Sequence, residues 1–185
     1  PPPELPSPPH RRSTDSLIGP AANLGFAAAN NQAIARGRAD LVLLANSDVE
    51  IKPDYIQACL HHFARADIGS VTGKLLRAHP PGTIDSTGHN VYRIGWTENR
   101  GEEQPDRGFD SPGEVFGVCA AAALYRSSAL ELVRLDGLVF DESYFAYIEV
   151  VDLDWRLPWV GWRASFVPGA PAIHHCGALG TPLLL

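Results

Sequence analysis

The apolar run Leu41-Val42-Leu43-Leu44, followed by Ala45 and the polar corner Asn46-Ser47-Asp48, constrains this chain more than any other stretch. A short apolar run bounded by turn residues reads as a strand covered on both faces, the environment of a central strand in an α/β sheet. In open sheets of that kind ligands lie beyond the carboxyl ends of the strands. Asp48 therefore stands where a ligand is expected. The same three polar residues also make good turns, because their side chains bond readily to nearby backbone, and spacing alone leaves both readings open.

The flanking segments alternate in the way such a sheet requires. Asn23 is placed to cap an alanine-rich helix over residues 24–36, which Gly37 stops. Pro53 suits a first helical position, and Ile56, Cys59, Leu60 and Phe63 follow the spacing of an amphipathic helix. Residues 68–73 read as the next strand, so helix, strand, helix, strand predicts a parallel α/β sheet. From about Arg77 to Gly113 the pattern dissolves into Gly, Pro, Asp and Asn, and an excursion of that length is usually functional or mobile. The apolar stretch from Val115 to Tyr125 fits a buried strand or helix, and Ser128-Ala129-Leu130-Glu131 has the form of a capping box.

A second polar constellation spans Phe140 to Arg156. On a helix, Glu149 and Asp152 share a face, and Asp152 and Arg156 are spaced to pair. Pro158 is expected to end or kink that helix, since it lacks an amide donor. A short strand over 163–167 and a turn then lead to His174 and His175.

Composition narrows the function. At 185 residues, 45% hydrophobic and 19% charged, the chain can bury one core. A net charge of −6 argues against nucleic acid, whose phosphates are bound by Lys and Arg. The three cysteines are widely spaced and match neither a disulfide framework nor a metal motif, which favours a reducing compartment. No run approaches the ~18 apolar residues of a spanning helix, so peripheral contact is the form of membrane association left open. Residues 1–12 hold six prolines and read as an extended or disordered lead.

Taken in order, Asn23-Leu24-Gly25-Phe26 with Asn30-Asn31, Asn46-Ser47-Asp48, Asp85-Ser86-Thr87-Gly88, the run Gly117 to Arg126, Phe140-Asp141-Glu142 with Tyr144-Phe145-Ala146-Tyr147, Asp152-Leu153-Asp154-Trp155-Arg156, and His174 resemble the family 2 glycosyltransferases of the GT-A fold. The resemblance is to the bacterial rhamnosyltransferase-like branch and covers roughly residues 13–180, with 181–185 as a tail. It implies an α/β, Rossmann-like, mostly parallel sheet flanked by helices. It also implies sugar transfer, usually with inversion, from a nucleotide-diphosphate donor such as a dTDP- or UDP-sugar to a glycan or lipid-linked acceptor. Asn23, Gly25, Asn46 and Asp48 then fall on the donor side. Asp48 and His174 become ligands of Mg²⁺ or Mn²⁺, and the expected location is the cytoplasm, at the inner face of the membrane if membrane contact is made.

The chain departs from the family pattern in three places. Where relatives read Glu-Asp-x-Asp-Leu, with the first aspartate as general base, this chain reads Glu149-Val150-Val151-Asp152-Leu153. Valine cannot accept a proton, so the base falls to Glu149 or Asp152, or else the chain is an impaired transferase acting as a binding module. The first strand and loop of the fold are expected to be missing, since only Ser13-Thr14-Asp15-Ser16 is similar to the end of that loop. Pro158 stands where relatives continue the helix. A metal-dependent nucleotide-diphosphate hydrolase is a third, weaker reading.

Overall fold

The computed structural model describes residues 23–144 and 148–176; the proline-rich lead, Ser13–Ser16, Phe145, Tyr147 and the tail 181–185 lie outside the described residues. In chain order the elements are α1 (Gly25–Arg36), β1 (Leu41–Ala45), β2 (Val49–Ile51), α2 (Tyr55–Leu60) with a 3₁₀ turn (His61–Ala64), β3 (Ile68–Arg77), β4 (Ile84–Ser86), β5 (His89–Val91), β6 (Thr97–Asn99), β7 (Gly113–Val115), β8 (Ala122–Arg126), α3 (Ser127–Leu132), α4 (Ile148–Trp159) and β9 (Arg163–His174).

The helix-flanked α/β sheet matches expectation, and its pairing corrects one detail. The seven-stranded sheet has the order β1-β8-β3-β9-β2, with β4 added on β3 and β7 on β9. β1, β3 and β9 run the same way, but β8 is inserted against the grain between β1 and β3, so β3–β9 is the parallel pair and the sheet is mixed rather than mostly parallel. Local periodicity cannot show this, because an inserted antiparallel strand carries the same apolar signature as a parallel one. The consequence for β1 is direct. With no partner on its outer side among the described residues, it keeps Leu44 buried while Leu41, Val42 and Leu43 stay half-buried.

β8 takes the central place expected of β1. Ala122, Ala123, Leu124 and Tyr125 are all buried, and the strand separates two apolar clusters. One face carries α1, α3 and α4 through Ala27, Ile34, Leu130, Val150, Leu153 and Leu157. The other carries α2 through Tyr55 and Cys59. This rotates α2 from its expected orientation, leaving Ile56 and Leu60 exposed. Tyr55 explains the rotation: its hydroxyl donates to the Ala122 carbonyl at 2.6 Å and accepts from the Gly73 amide at 2.9 Å, satisfying a fully buried phenol. Gly73 permits that approach, since a Cβ there would lie 2.4 Å from the Tyr55 ring.

Other local expectations resolve individually. Asn23 is not the cap of α1: Leu24 holds that position without a side-chain cap bond, and the Asn23 side chain accepts from the Gly25 amide at 3.0 Å in a local turn. The Ser128–Glu131 capping box does not form; α3 begins at Ser127, whose hydroxyl donates to the Ala39 carbonyl. α4 ends one residue after Pro158. The long excursion is built structure: β5 and β6 form a hairpin, Lys74 holds Asp106 and Asp110, and Arg100 lies over the rings of both Phe109 and Phe166.

Candidate active site

The polar corner after β1 makes the turn that its sequence allowed. The Val49 amide donates to the Asn46 carbonyl, which closes a tight turn, and the Asn46 amide donates to the Ala121 carbonyl, which anchors that turn to the start of β8. The turn carries Asp48 onto β2. β2 pairs antiparallel with the end of β9, with Val49 opposite His174, and the His175 amide donates to the Asp48 carbonyl at 2.9 Å. Two segments more than a hundred residues apart thereby meet at one point.

There, His174 Nε2 lies 3.4 Å from Asp48 Oδ1, and both side chains are partly buried. The other ring nitrogen, Nδ1, is 2.7 Å from Asp85 Oδ2. Asp85 comes from β4, is nearly buried, and uses its second oxygen to accept from the Cys176 thiol at 3.3 Å, with Arg77 Nε at 3.6 Å. The bond to Asp85 raises the His174 pKa above the ordinary imidazole value against the effect of burial, with Asp48 adding to the rise. Burial works to lift the Asp85 carboxyl, but the bond to His174, supported by Cys176 and Arg77, wins and holds it below the usual carboxylate range. Burial and Asp85 push the Cys176 thiol up to about 12.

This donor set fits a hard divalent cation. Two neighbouring ligands of an octahedral ion with bonds of about 2.1 Å stand roughly 3 Å apart, close to the Asp48–His174 separation. Carboxylate oxygen with imidazole nitrogen also suits manganese. Asp85, His174 and Cys176 offer a second grouping, with one ligand atom each inside 4.8 Å.

The acidic helix start is arranged differently. Asp152 accepts from Arg156 at 2.9 Å, and the buried guanidinium also donates to the Val133 and Val139 carbonyls. Glu149 is buried, and its Oε2 has no hydrogen-bond partner among the described residues. Val150 lies in the core cluster with Leu153 and Leu157, one helical stripe of α4. The segment leading to α4 is clamped by Asn31, whose amide group donates to the Phe140 carbonyl and accepts from the Val139 and Phe140 amides. Of the residues expected at the site, Asp48 and His174 are brought together, with Asn46 in the same turn. The polar contacts of Asn23, Gly25 and Asp152 are local, spanning two to four residues.

Sequence reading missed Asp85 as a site residue, although it opens the Asp85-Ser86-Thr87-Gly88 motif. It also missed the buried pair His89–Asp154, with Nδ1 to Oδ2 at 2.6 Å. Their motifs do not show these pairings, since each partner lies on a different element.

Residues 18–133 match the model of glycosyl transferase family 2. The chain belongs to that family. Among curated relatives, a family 2 chain of this kind is 33% identical over 185 aligned residues to the N-acetylglucosaminyl-diphospho-decaprenol L-rhamnosyltransferase of Mycobacterium tuberculosis, covering 86% of this chain. The chain spans 58% of the length of that relative. An uncharacterized protein of Sinorhizobium fredii, y4gI, is 28% identical over 173 residues, with 86% of this chain and 18% of that protein covered. Among solved structures, the crystal structure of GalNAc-T7 with UDP, GalNAc and Mn²⁺ superposes with a TM-score of 0.64 at 9% identity, over 84% of this chain and 31% of that one. At that identity the likeness concerns the fold, and the family 2 domain has the GT-A architecture.

Proposed function

We propose that the chain transfers a sugar of the rhamnose type from a nucleotide-diphosphate donor to an acceptor hydroxyl, with inversion and with help from Mg²⁺ or Mn²⁺. The observation that carries this reading is the convergence of Asp48 and His174 at a strand end. A divalent cation bound there would neutralise the charge that builds on the departing diphosphate. The acceptor is taken to be a glycan or lipid-linked sugar, by analogy with the decaprenol-linked substrate named for the mycobacterial relative. The corresponding setting is the cytoplasmic face of a membrane, in polysaccharide or cell-wall biosynthesis. Among the described residues no helix is long and apolar enough to cross a membrane.

In this reading the acceptor oxygen attacks the anomeric carbon as the bond to the diphosphate breaks, and a carboxylate takes the hydroxyl proton. Glu149 is the better candidate. Its Oε2 has no partner among the described residues, whereas Asp152 is engaged by Arg156, and an unpaired buried polar atom calls for a functional explanation. Asn46 and Asp48 would face the donor, with Asn23 and Gly25 on the same side.

The test is nucleoside diphosphate release from dTDP-rhamnose or a UDP-sugar with Mn²⁺ and an acceptor. Release that needs the acceptor and stops on Asp48→Ala is the expected result. Release of free sugar without acceptor would favour a hydrolase, and no release with any donor would favour the second reading. That reading, an impaired transferase that only binds, is motivated by Val150, an apolar core residue at the position of the family's base. Activity gained on Val150→Asp would identify the chain as a damaged transferase.

A further inference from the structure

We propose that Asp85 is a positioning residue for His174: its carboxylate fixes the imidazole with the proton on Nδ1 and the Nε2 lone pair turned toward Asp48. The inference rests on the metal reading of the preceding section and adds a residue to it. Three observations carry it. Asp85 Oδ2 stands 2.7 Å from Nδ1, whereas Asp48 Oδ1 stands 3.4 Å from Nε2, so the short hydrogen bond is on the Asp85 side and the looser gap is on the Asp48 side. The Asp85 oxygens are already engaged, one by the ring and the other by the Cys176 thiol and the Arg77 guanidinium, which leaves the carboxylate as an acceptor held from several directions. Asp85 is itself only 5% exposed and sits on β4, which pairs with β3, so its place is set by the sheet and not by a surface loop.

A ring nitrogen can either ligate a cation or donate a proton, not both. With Nδ1 committed to Asp85, the ring offers Nε2 to a cation shared with Asp48, and the alternative chelate of Asp85, His174 and Cys176 would have to break the Nδ1–Asp85 bond first. Carboxylates that orient a ligating imidazole in this way raise its basicity and fix its tautomer, and their loss commonly weakens metal binding 10–100-fold.

The test uses the whole chain, ¹⁵N-labelled at histidine, with Mn²⁺ followed by electron paramagnetic resonance and Co²⁺ by absorbance. The metal-free protein above the His174 pKa is expected to show the Nδ1–H tautomer, and Asp85→Leu is expected to lose that preference and bind Mn²⁺ roughly 10–100-fold more weakly. Asp85→Asn, which keeps an acceptor oxygen, is expected to retain more affinity than Asp85→Leu, and Cys176→Ser to bind as the parent does. Circular dichroism identifies any variant that fails to fold, and the tautomer of the unsubstituted protein tests the inference even then. A thiolate-to-cobalt band lost in Cys176→Ser would make Asp85 a ligand in the alternative chelate and overturn the proposal. So would an Nε2–H tautomer in the parent, or unchanged Mn²⁺ affinity in folded Asp85→Leu. Mn²⁺ binding that survives Asp48→Ala would instead overturn the metal reading on which the proposal stands.

Discussion

His89 and Asp154 meet in the interior with Nδ1 and Oδ2 2.6 Å apart, joining the hairpin of the long excursion to the middle of α4. The Val118 amide donates to the other Asp154 oxygen, and the His89 amide donates to the Gly117 carbonyl, so the pair also fixes the loop entering β8. Burial opposes charge on His89, but the bond to Asp154, with a further contribution from Cys119, lifts its pKa to about 10. Burial pushes the Asp154 carboxyl up as well, against His89 and the Val118 amide. Both shifts mean that the folded chain holds the pair's proton more tightly than the unfolded chain does.

The sign for stability follows from these raised values. The contribution of His89 is fully present below the unfolded histidine pKa of about 6.5 and is lost as pH rises through about 10. The urea midpoint of the parent is expected to fall across that window, and His89→Gln to fall less. Parallel profiles for the two proteins would show that the pair does not govern the decline.

Gly117 faces Asp154 with no room to spare, since a Cβ at this position would lie 1.9 Å from Asp154 Oδ2. Gly117→Ala is expected to cost about 1–3 kcal/mol by overpacking and to flatten the pH profile as His89→Gln does. Gly113→Ala, where an added Cβ meets nothing within 4 Å, serves as the control, with an expected change inside about 0.5 kcal/mol. Equal denaturation midpoints for the two variants would contradict this account.

Arg156 joins α4 to the loop after α3 by bonds to Asp152, Val133 and Val139. Arg156→Ala leaves these acceptors without their donor and is expected to cost about 3–5 kcal/mol. Arg156→Lys is expected to recover little, because one ammonium cannot reproduce the planar fork. A thermal melt showing full rescue by lysine would mean that charge alone matters there.

If the proposed cation is held by Asp48, chelation and Asp48→Asn are expected to act on one site. Each is expected to lower nucleoside diphosphate release roughly 10²–10³-fold, the usual scale for removing one transition-state charge stabiliser, and added Mn²⁺ is expected to restore the chelated protein only. Turnover that persists through chelation would remove the cation from the mechanism.

Glu149→Gln removes a proton acceptor while preserving shape. Because Oε2 has no partner to lose among the described residues, the substitution is expected to leave the melting temperature nearly unchanged while lowering turnover about 10²–10⁴-fold. If turnover instead falls on Asp152→Asn with Arg156 still in place, the base has been assigned to the wrong carboxylate.

The elements that the sequence reveals are those whose signal is local. The apolar run at 41–45, the alanine-rich helix after Asn23 and the acidic start of α4 each announce themselves within a few residues, and each occurs where expected. α2 was legible as a helix but not in its orientation, because Tyr55 is drawn inward by Ala122 and Gly73, from strands far along the chain. Asp152 reads from sequence as a candidate base with a strong alternative as the partner of Arg156, and the structure supplies that partner.

By itself the sequence determined the family, the helix-and-sheet class and the candidacy of Asp48 and His174, because periodicity and ordered motifs are properties of neighbouring residues. The tertiary structure decided what the sheet's order brings together: β8 between β1 and β3, Asp85 behind His174, and His89 against Asp154. Those contacts depend on which strands share hydrogen bonds, and strand pairing is settled by burial across the whole core rather than by any stretch of the chain.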